Sequence, residues 1–255
     1  MIAAAVLFVL LYRNYLGPMS VFFLLYQWKP ARFQAAKNLE ALPAPAQLKL
    51  EKKMTAVHAA CDIAALAAIY LLHTQGYTQL YMDFGSRGAG YALFSFALLF
   101  VIQDAWFYFT HRAMHHSSIY RHVHFLHHKA KNTNPWSSWC VHPVENLVEA
   151  GLWPLVVLAL PLHPLVLCAY LFASAFLIFN GHSGYEFNPD GYRSFRPLDW
   201  LGTATSHNLH HQAGKYNFGF YFRFWDYVLG TEHPNYIAAL DAVKEKNFSW
   251  KKSLS

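Results

Sequence analysis

The sequence predicts an all-α integral membrane protein with about four membrane-embedded helical elements and a cytosolic, histidine-rich helical cap. Three observations predict it. Hydrophobic residues fill 55% of the 255 positions and charged residues 13%, against about 45–50% and about 25% in soluble domains. Apolar stretches recur at close to the roughly 20 residues that a spanning helix needs. Histidine reaches 16 residues, and half of them stand in three clusters at helical spacing.

The first stretch runs from Met1 to about Trp28, interrupted by Arg13, Asn14 and Pro18. It has neither a basic n-region nor a small-residue cleavage site, so it reads as an uncleaved anchor. The second covers Thr55 to Leu72 and the third Gly88 to about Thr110. The fourth, Ala150 to Asn180, contains Pro154, Pro161 and Pro164. It is too short for two full spans. A helical hairpin turning at Pro161–Pro164, or one broken helix, is expected there.

Charge sets the orientation. Lys29, Arg32, Lys37, Lys49, Lys52 and Lys53 follow the first stretch, whereas only Arg87 lies between His73 and the third. Arg112, Arg121, Lys129 and Lys131 follow His111, and the tail carries Lys244, Lys246, Lys251 and Lys252. Basic loops face the cytoplasm, which places all three histidine clusters on that side. The net charge of +6 is dispersed. No basic block of the nucleic-acid kind is present, so no nucleic-acid partner is expected. The charge suits anionic headgroups. Cys61, Cys140 and Cys168 form no CxxC pair, which argues against disulfides and a thiolate metal site.

The clusters are His111-Arg-Ala-Met-His115, His124-Phe-Leu-His127-His128 and His207-Asn-Leu-His210-His211. Residues three and four apart share a helix face, so each cluster presents its imidazoles together. Imidazole suits iron, zinc and copper. Eight such ligands exceed what one ion uses, so two ions are expected. His182 is a ninth candidate, placed where the fourth stretch ends. Glu186, four residues on, offers a carboxylate as a ligand or to orient an imidazole. Ligating imidazoles usually donate their other N–H to a carboxylate or carbonyl. Asp104, seven residues before His111 on the same helix face, is the candidate for that task. In His142-Pro-Val-Glu145 the proline marks a structural turn, and His142 stays outside the ligand set. His58, His73, His163 and His233 read as non-binding, and His116 and His122 as surface or supporting groups.

From Asp104 to Tyr236 these motifs resemble the fatty acid hydroxylase/sterol desaturase superfamily of membrane di-iron oxygenases. The residues that carry the resemblance are His111 to His115, His124 to His128, His142 to Glu145, His182 to Gly184, His207 to His211, Asn217 to Gly219 and Trp225 to Thr231. The resemblance implies two ferrous ions held by the clustered histidines and His182, with O2 as co-substrate and a lipid C–H bond as target. The lipid is sterol-like or fatty acyl, and the product an alcohol or an alkene. One departure stands out: some fatty acid hydroxylases carry a further histidine where this chain has Glu186. The division it suggests is anchor helices over 1–103, a catalytic domain over 104–236 that includes the membrane hairpin at 150–180, and a polar tail over 237–255.

The chain has no GxGxxG fingerprint, and its cysteines suit no iron–sulfur cluster. Electrons are therefore expected from a ferredoxin or a b-type cytochrome served by an NAD(P)H-dependent reductase. Two rivals from other classes are a dinuclear zinc hydrolase, which would not need nine nitrogen ligands, and a metal transporter, which would hold its ligands in mid-membrane. The short chain favours a bacterial inner membrane over the endoplasmic reticulum.

Overall fold

In the computed structural model, residues 2–28, 43–131, 133–188 and 196–253 are described. Lys29, Arg32 and Lys37, which entered the orientation argument, lie outside them. Helices α1 (Ile2–Trp28), α2 (Pro45–Thr74), α3 (Gly88–Met114) and α8 (Pro164–His182) are each long and apolar enough to cross a membrane. Between α3 and α8 come α4 (Ser117–Val123), α5 (Phe125–His128), α6 (Pro143–Ala150) and α7 (Leu152–Ala159). After α8 come α9 (Arg196–Asp199), α10 (Ala204–Ala213), α11 (Phe224–Val228) and α12 (Tyr236–Ser253). The fold is all-α, and no strand occurs among the described residues beyond a single bridge between Leu201 and Phe222. The chain is a multi-pass membrane protein.

Helix α1 is not broken at Arg13, Asn14 and Pro18. It winds as a π-helix over Tyr12–Leu16, and Gly17 N–H bonds to Tyr12 O. Pro18 has no N–H to offer the preceding turn, and the wider winding absorbs that loss. Gly17 brings α1 against α8: a Cβ there would stand 2.2 Å from the Phe179 ring.

The fourth apolar stretch makes a hairpin whose descending arm starts earlier than its hydropathy suggests. The arm comprises α6 and α7, and the chain reverses over 160–163 before α8. The polar segment Pro143–Ala150 supplies the first half of that arm by turning its carboxylates inward: Glu149 accepts from Thr110 Oγ1 at 2.7 Å on α3. Trp106 Nε1 donates to Val148 O at 3.2 Å one turn away. Leu99, Leu152, Val156, Leu162, Val166 and Tyr170 form the core between α3, α7 and α8. Leu93, Phe94 and Val101 stay exposed on the outer face of α3, as a lipid-facing surface requires.

The bundle has two distinct ends. At one, the 160–163 turn meets the loop between α2 and α3, where Tyr81 N–H bonds to Leu162 O at 3.1 Å. At the other, α3 carries His111 in its last turn and α8 ends on His182, so two membrane helices deliver imidazoles to one level. Lys52 lies over the Trp136 ring at that same end.

Candidate metal centre

Nine histidines converge in two adjacent groups: His111, His115, His124, His128 and His210 in one, and His127, His182, His207 and His211 in the other. They are the eight singled out by their helical spacing together with His182, singled out by its place at the end of the fourth apolar stretch. All are buried except His115, which is half-buried.

The local structure explains the division. On α10 the capping box of Thr203 and Ser206 fixes the first turn, and Gly214 closes the helix in the left-handed conformation at φ 65°. His207 and His211, four apart, face one group, while His210 faces the other. The motif at 124–128 does the reverse: His124 and His128 share the first group and His127 enters the second. Each HxxHH motif therefore contributes to both groups, in complementary fashion.

The nitrogens within each group crowd together. In the first, His111 Nε2 lies 3.0 Å from His124 Nε2, and His210 Nε2 lies 3.1 Å from both His115 and His128. In the second, His207 Nε2 is 2.9 Å from His182 Nε2 and 3.0 Å from His211 Nε2. Two nitrogens each about 2.1 Å from one ion, at right angles to each other, stand about 3 Å apart. The outer nitrogens are then partly fixed. His124 Nδ1 bonds to Glu145 Oε1 at 2.9 Å, His111 Nδ1 to Phe218 O at 2.7 Å, His210 Nδ1 to Tyr216 O at 2.7 Å and His182 Nδ1 to Ile178 O at 3.0 Å. An Nδ1–H donated outward leaves the Nε2 lone pair pointing inward. His127, His207 and His211 have buried Nδ1 atoms with no partner among the described residues. Such a concentration of buried, poorly paired imidazoles is costly without something to bind. The donor set fits two nitrogen-preferring ions.

Outside the spans, burial, then the neighbouring imidazoles, hold His124, His127, His207, His210 and His211 well below the usual histidine value. Burial brings His128 down to about 4. These groups are neutral at physiological pH, the state in which imidazole ligates.

Asp104 and Glu186 are placed differently from the imidazole-orienting task expected of them. Asp104 Oδ1 accepts from the Phe222 N–H at 3.0 Å and bonds to no imidazole among the described residues. Seven residues before His111 it lies about 10 Å lower along the helix, out of reach of the rings. Glu186 Oε2 accepts from Thr205 N–H at 3.1 Å and Thr205 Oγ1 at 2.7 Å, and so holds the first turn of α10. Gly184, at φ 71°, ends the helical path after His182, so the four-residue spacing no longer means a shared face. Glu145 is the carboxylate at an imidazole, a residue set aside in the sequence with His142. Its signal was the HP-x-E element, in which His142 caps α6 by accepting from Val144 N–H at 3.2 Å.

The histidines open on a cavity of about 100 Å³. Phe107, Trp139, Trp153, Phe220 and Tyr221 line it together with His124, His127, His182 and His207. It lies between α1, α2, α3, the α6–α7 arm and α8.

An apolar helix bundle with a buried poly-imidazole centre at one end defines a membrane-embedded histidine-cluster protein. A family model described as fatty acid hydroxylase matches residues 96–231. The chain belongs to the fatty acid hydroxylase/sterol desaturase superfamily. It is 30% identical to rat (Rattus norvegicus) lathosterol oxidase over 172 residues, covering 66% of this chain and 56% of the relative. The methylsterol monooxygenase erg25B of Aspergillus fumigatus is 33% identical over 147 residues, 55% of this chain and 48% of the relative. A probable Delta(7)-sterol 5(6)-desaturase of Neurospora crassa is 28% identical over 214 residues, 82% and 59% of the two chains. The chain thus spans about half the length of the relatives it matches. These relatives are animal and fungal, and they lend no support to the bacterial inner membrane expected from chain length. No solved structure matches the chain.

Proposed function

We propose that the chain is a membrane-bound di-iron oxygenase that hydroxylates or desaturates an unactivated C–H bond of a sterol-like or fatty acyl lipid. It would use O2 and electrons from a ferredoxin or b-type cytochrome with its NAD(P)H-dependent reductase. The observation that carries this reading is the pairing of two adjacent imidazole groups with an aromatic-lined cavity at membrane depth. The sterol oxidases and desaturases among the relatives support the substrate class.

In this reading His111, His115, His124, His128 and His210 hold one iron, and His127, His182, His207 and His211 the other. Bound there, iron supplies the one-electron and oxygen chemistry that side chains lack. The chain's own residues do the rest. Glu145 keeps His124 in the tautomer that presents Nε2. Glu186 fixes α10, and with it three ligands. Asp104 holds the Phe222 backbone, and with it the loop whose Phe218 carbonyl orients His111. Phe107, Phe220 and Tyr221 exclude water and pack against an apolar substrate. The catalytic domain spans 104–236, carried by the anchor helices of 1–103 and followed by a tail over 237–255. The histidine end faces the cytosol, because Lys49, Lys52 and Lys129 stand at that end.

The test is lipid profiling of cells that express the chain with a matched reductase. An O2-dependent product that has gained one oxygen or lost two hydrogens, absent with His210→Ala, is expected. Identical lipid profiles for wild type and His210→Ala would overturn the reading.

A further inference from the structure

A second polar constellation lies inside the bundle, away from the imidazole groups. Arg13 on α1 and Asp62 on α2 form an ion pair, Nε to Oδ2, at 3.5 Å. Asn14 Nδ2 donates to the same Oδ2 at 3.1 Å, and its Oδ1 pairs with His58 Nδ1 at 3.0 Å. An arginine within a membrane helix is costly and is retained for a task. The π-wound turn at Tyr12–Leu16 places it, and such turns recur at functional sites.

Arg13 is anchored but not satisfied. Its guanidinium lies over the Trp139 ring at 4.5 Å, and Trp139 Nε1 donates to Arg13 O at 2.7 Å. Its Nε is buried without a hydrogen bond. A guanidinium carries five N–H donors, so the 3.5 Å ion pair of Nε with Asp62 leaves donors for a ligand. Ser138, beside Trp139 in sequence, has a buried Oγ with no partner among the described residues and is itself only 5% exposed. Arg13 and Ser138 line the same cavity as His124, His127, His182 and His207. A buried donor and a buried hydroxyl left unpaired each cost free energy unless a ligand completes them.

Resting on the oxygenase reading, we propose that Arg13 and Ser138 form the binding site for a hydroxyl group of the lipid substrate. The hydroxyl oxygen accepts from the Arg13 guanidinium, and its O–H donates to Ser138 Oγ. A neutral oxygen fits better than a carboxylate. Asp62 already balances the Arg13 charge, so the cavity offers a further anion no unpaired cation. The substrate is thus an oxygenated lipid held at both ends of the cavity, with the hydroxyl at α1 and the carbon to be oxidised at the histidines. Arg13 and Ser138 select the lipid and fix which carbon is presented.

Binding to the detergent-purified full chain tests this, followed by tryptophan fluorescence because Trp139 and Trp153 line the cavity. Two probe pairs differ only in the hydroxyl: cholestanol against cholestane, and hexadecanol against hexadecane. The hydroxylated member of at least one pair is expected to bind about tenfold or more tightly. Arg13→Met with Asp62→Asn removes both charges together, so no ion is left buried alone. Ser138→Ala removes an unpartnered hydroxyl and threatens the fold least. Loss of the preference in either variant, with binding of the hydrocarbon member unchanged, supports the proposal. No preference in either pair, or a preference kept in both variants, overturns it. Iron content measured on the same samples separates the two readings. Iron without a hydroxyl preference defeats this site alone, whereas a preference without iron defeats the oxygenase.

Discussion

His210 Nε2 lies 3.1 Å from His128 Nε2, although the helix neighbours of His210, His207 and His211, face the other imidazole group. His127 is the counterpart, separated from His124 and His128 in the same way. The two HxxHH motifs therefore interlock, and removing either odd member damages one group while leaving both helices intact.

His127→Ala and His210→Ala are accordingly expected to abolish activity, each by opening a different group. His163→Ala should retain it. His163 caps α8 by accepting from Leu165 N–H at 3.2 Å, so its loss costs about 1 kcal/mol of stability. Thermal melts and turnover on the three variants check this, and equal activity in all three would contradict the ligand assignment.

Glu145 acts on His124 through one hydrogen bond of 2.9 Å. Glu145→Gln keeps an acceptor oxygen there and should retain most of the metal. Glu145→Ala removes it and should weaken metal affinity by about 10–100-fold. Chelator competition measures the difference.

Glu186 and Asp104 serve the frame. Glu186→Ala strips two hydrogen bonds from the first turn of α10 and should cost about 2 kcal/mol. Asp104→Asn still offers an oxygen to the Phe222 N–H and should remain active. An inactive but fully folded and metal-replete Asp104→Asn would show a direct role in the reaction.

Acid should destabilise the metal-free protein steeply. Folding holds His128 at about 4 and keeps its buried neighbour His210 well below the usual histidine value, whereas an unfolded histidine titrates near about 6.5. Below that value the unfolded chain binds protons that the folded one refuses, so stability is complete above about pH 6.5 and falls as pH drops towards 4. Melting temperature against pH reads this directly, and a flat profile between pH 7 and 5 would contradict neutral buried imidazoles.

The spans and the eight clustered histidines were legible because they rest on local rules, apolar length and i, i+4 spacing, and His182 because it stands where the fourth apolar stretch ends. The division of the histidines between two groups was not legible. Helix α5 is only Phe125–His128, and the helical path breaks at His124, so a face drawn on one continuous helix misassigns His127. Asp104 was read correctly as inward-facing but at the wrong depth for an imidazole. Glu145 was missed because its partner His124 is 21 residues away, across a turn that spacing cannot measure. Arg13 read as an interruption of a span, since its partners Asp62 and Trp139 come from other helices.

The most direct test of the two-ion centre is metal content per chain on detergent-purified protein from iron-replete cells, beside His127→Ala. Close to two irons, falling to about one or less in the variant, is the expected result. No bound metal, or a content unchanged by the substitution, would contradict the account.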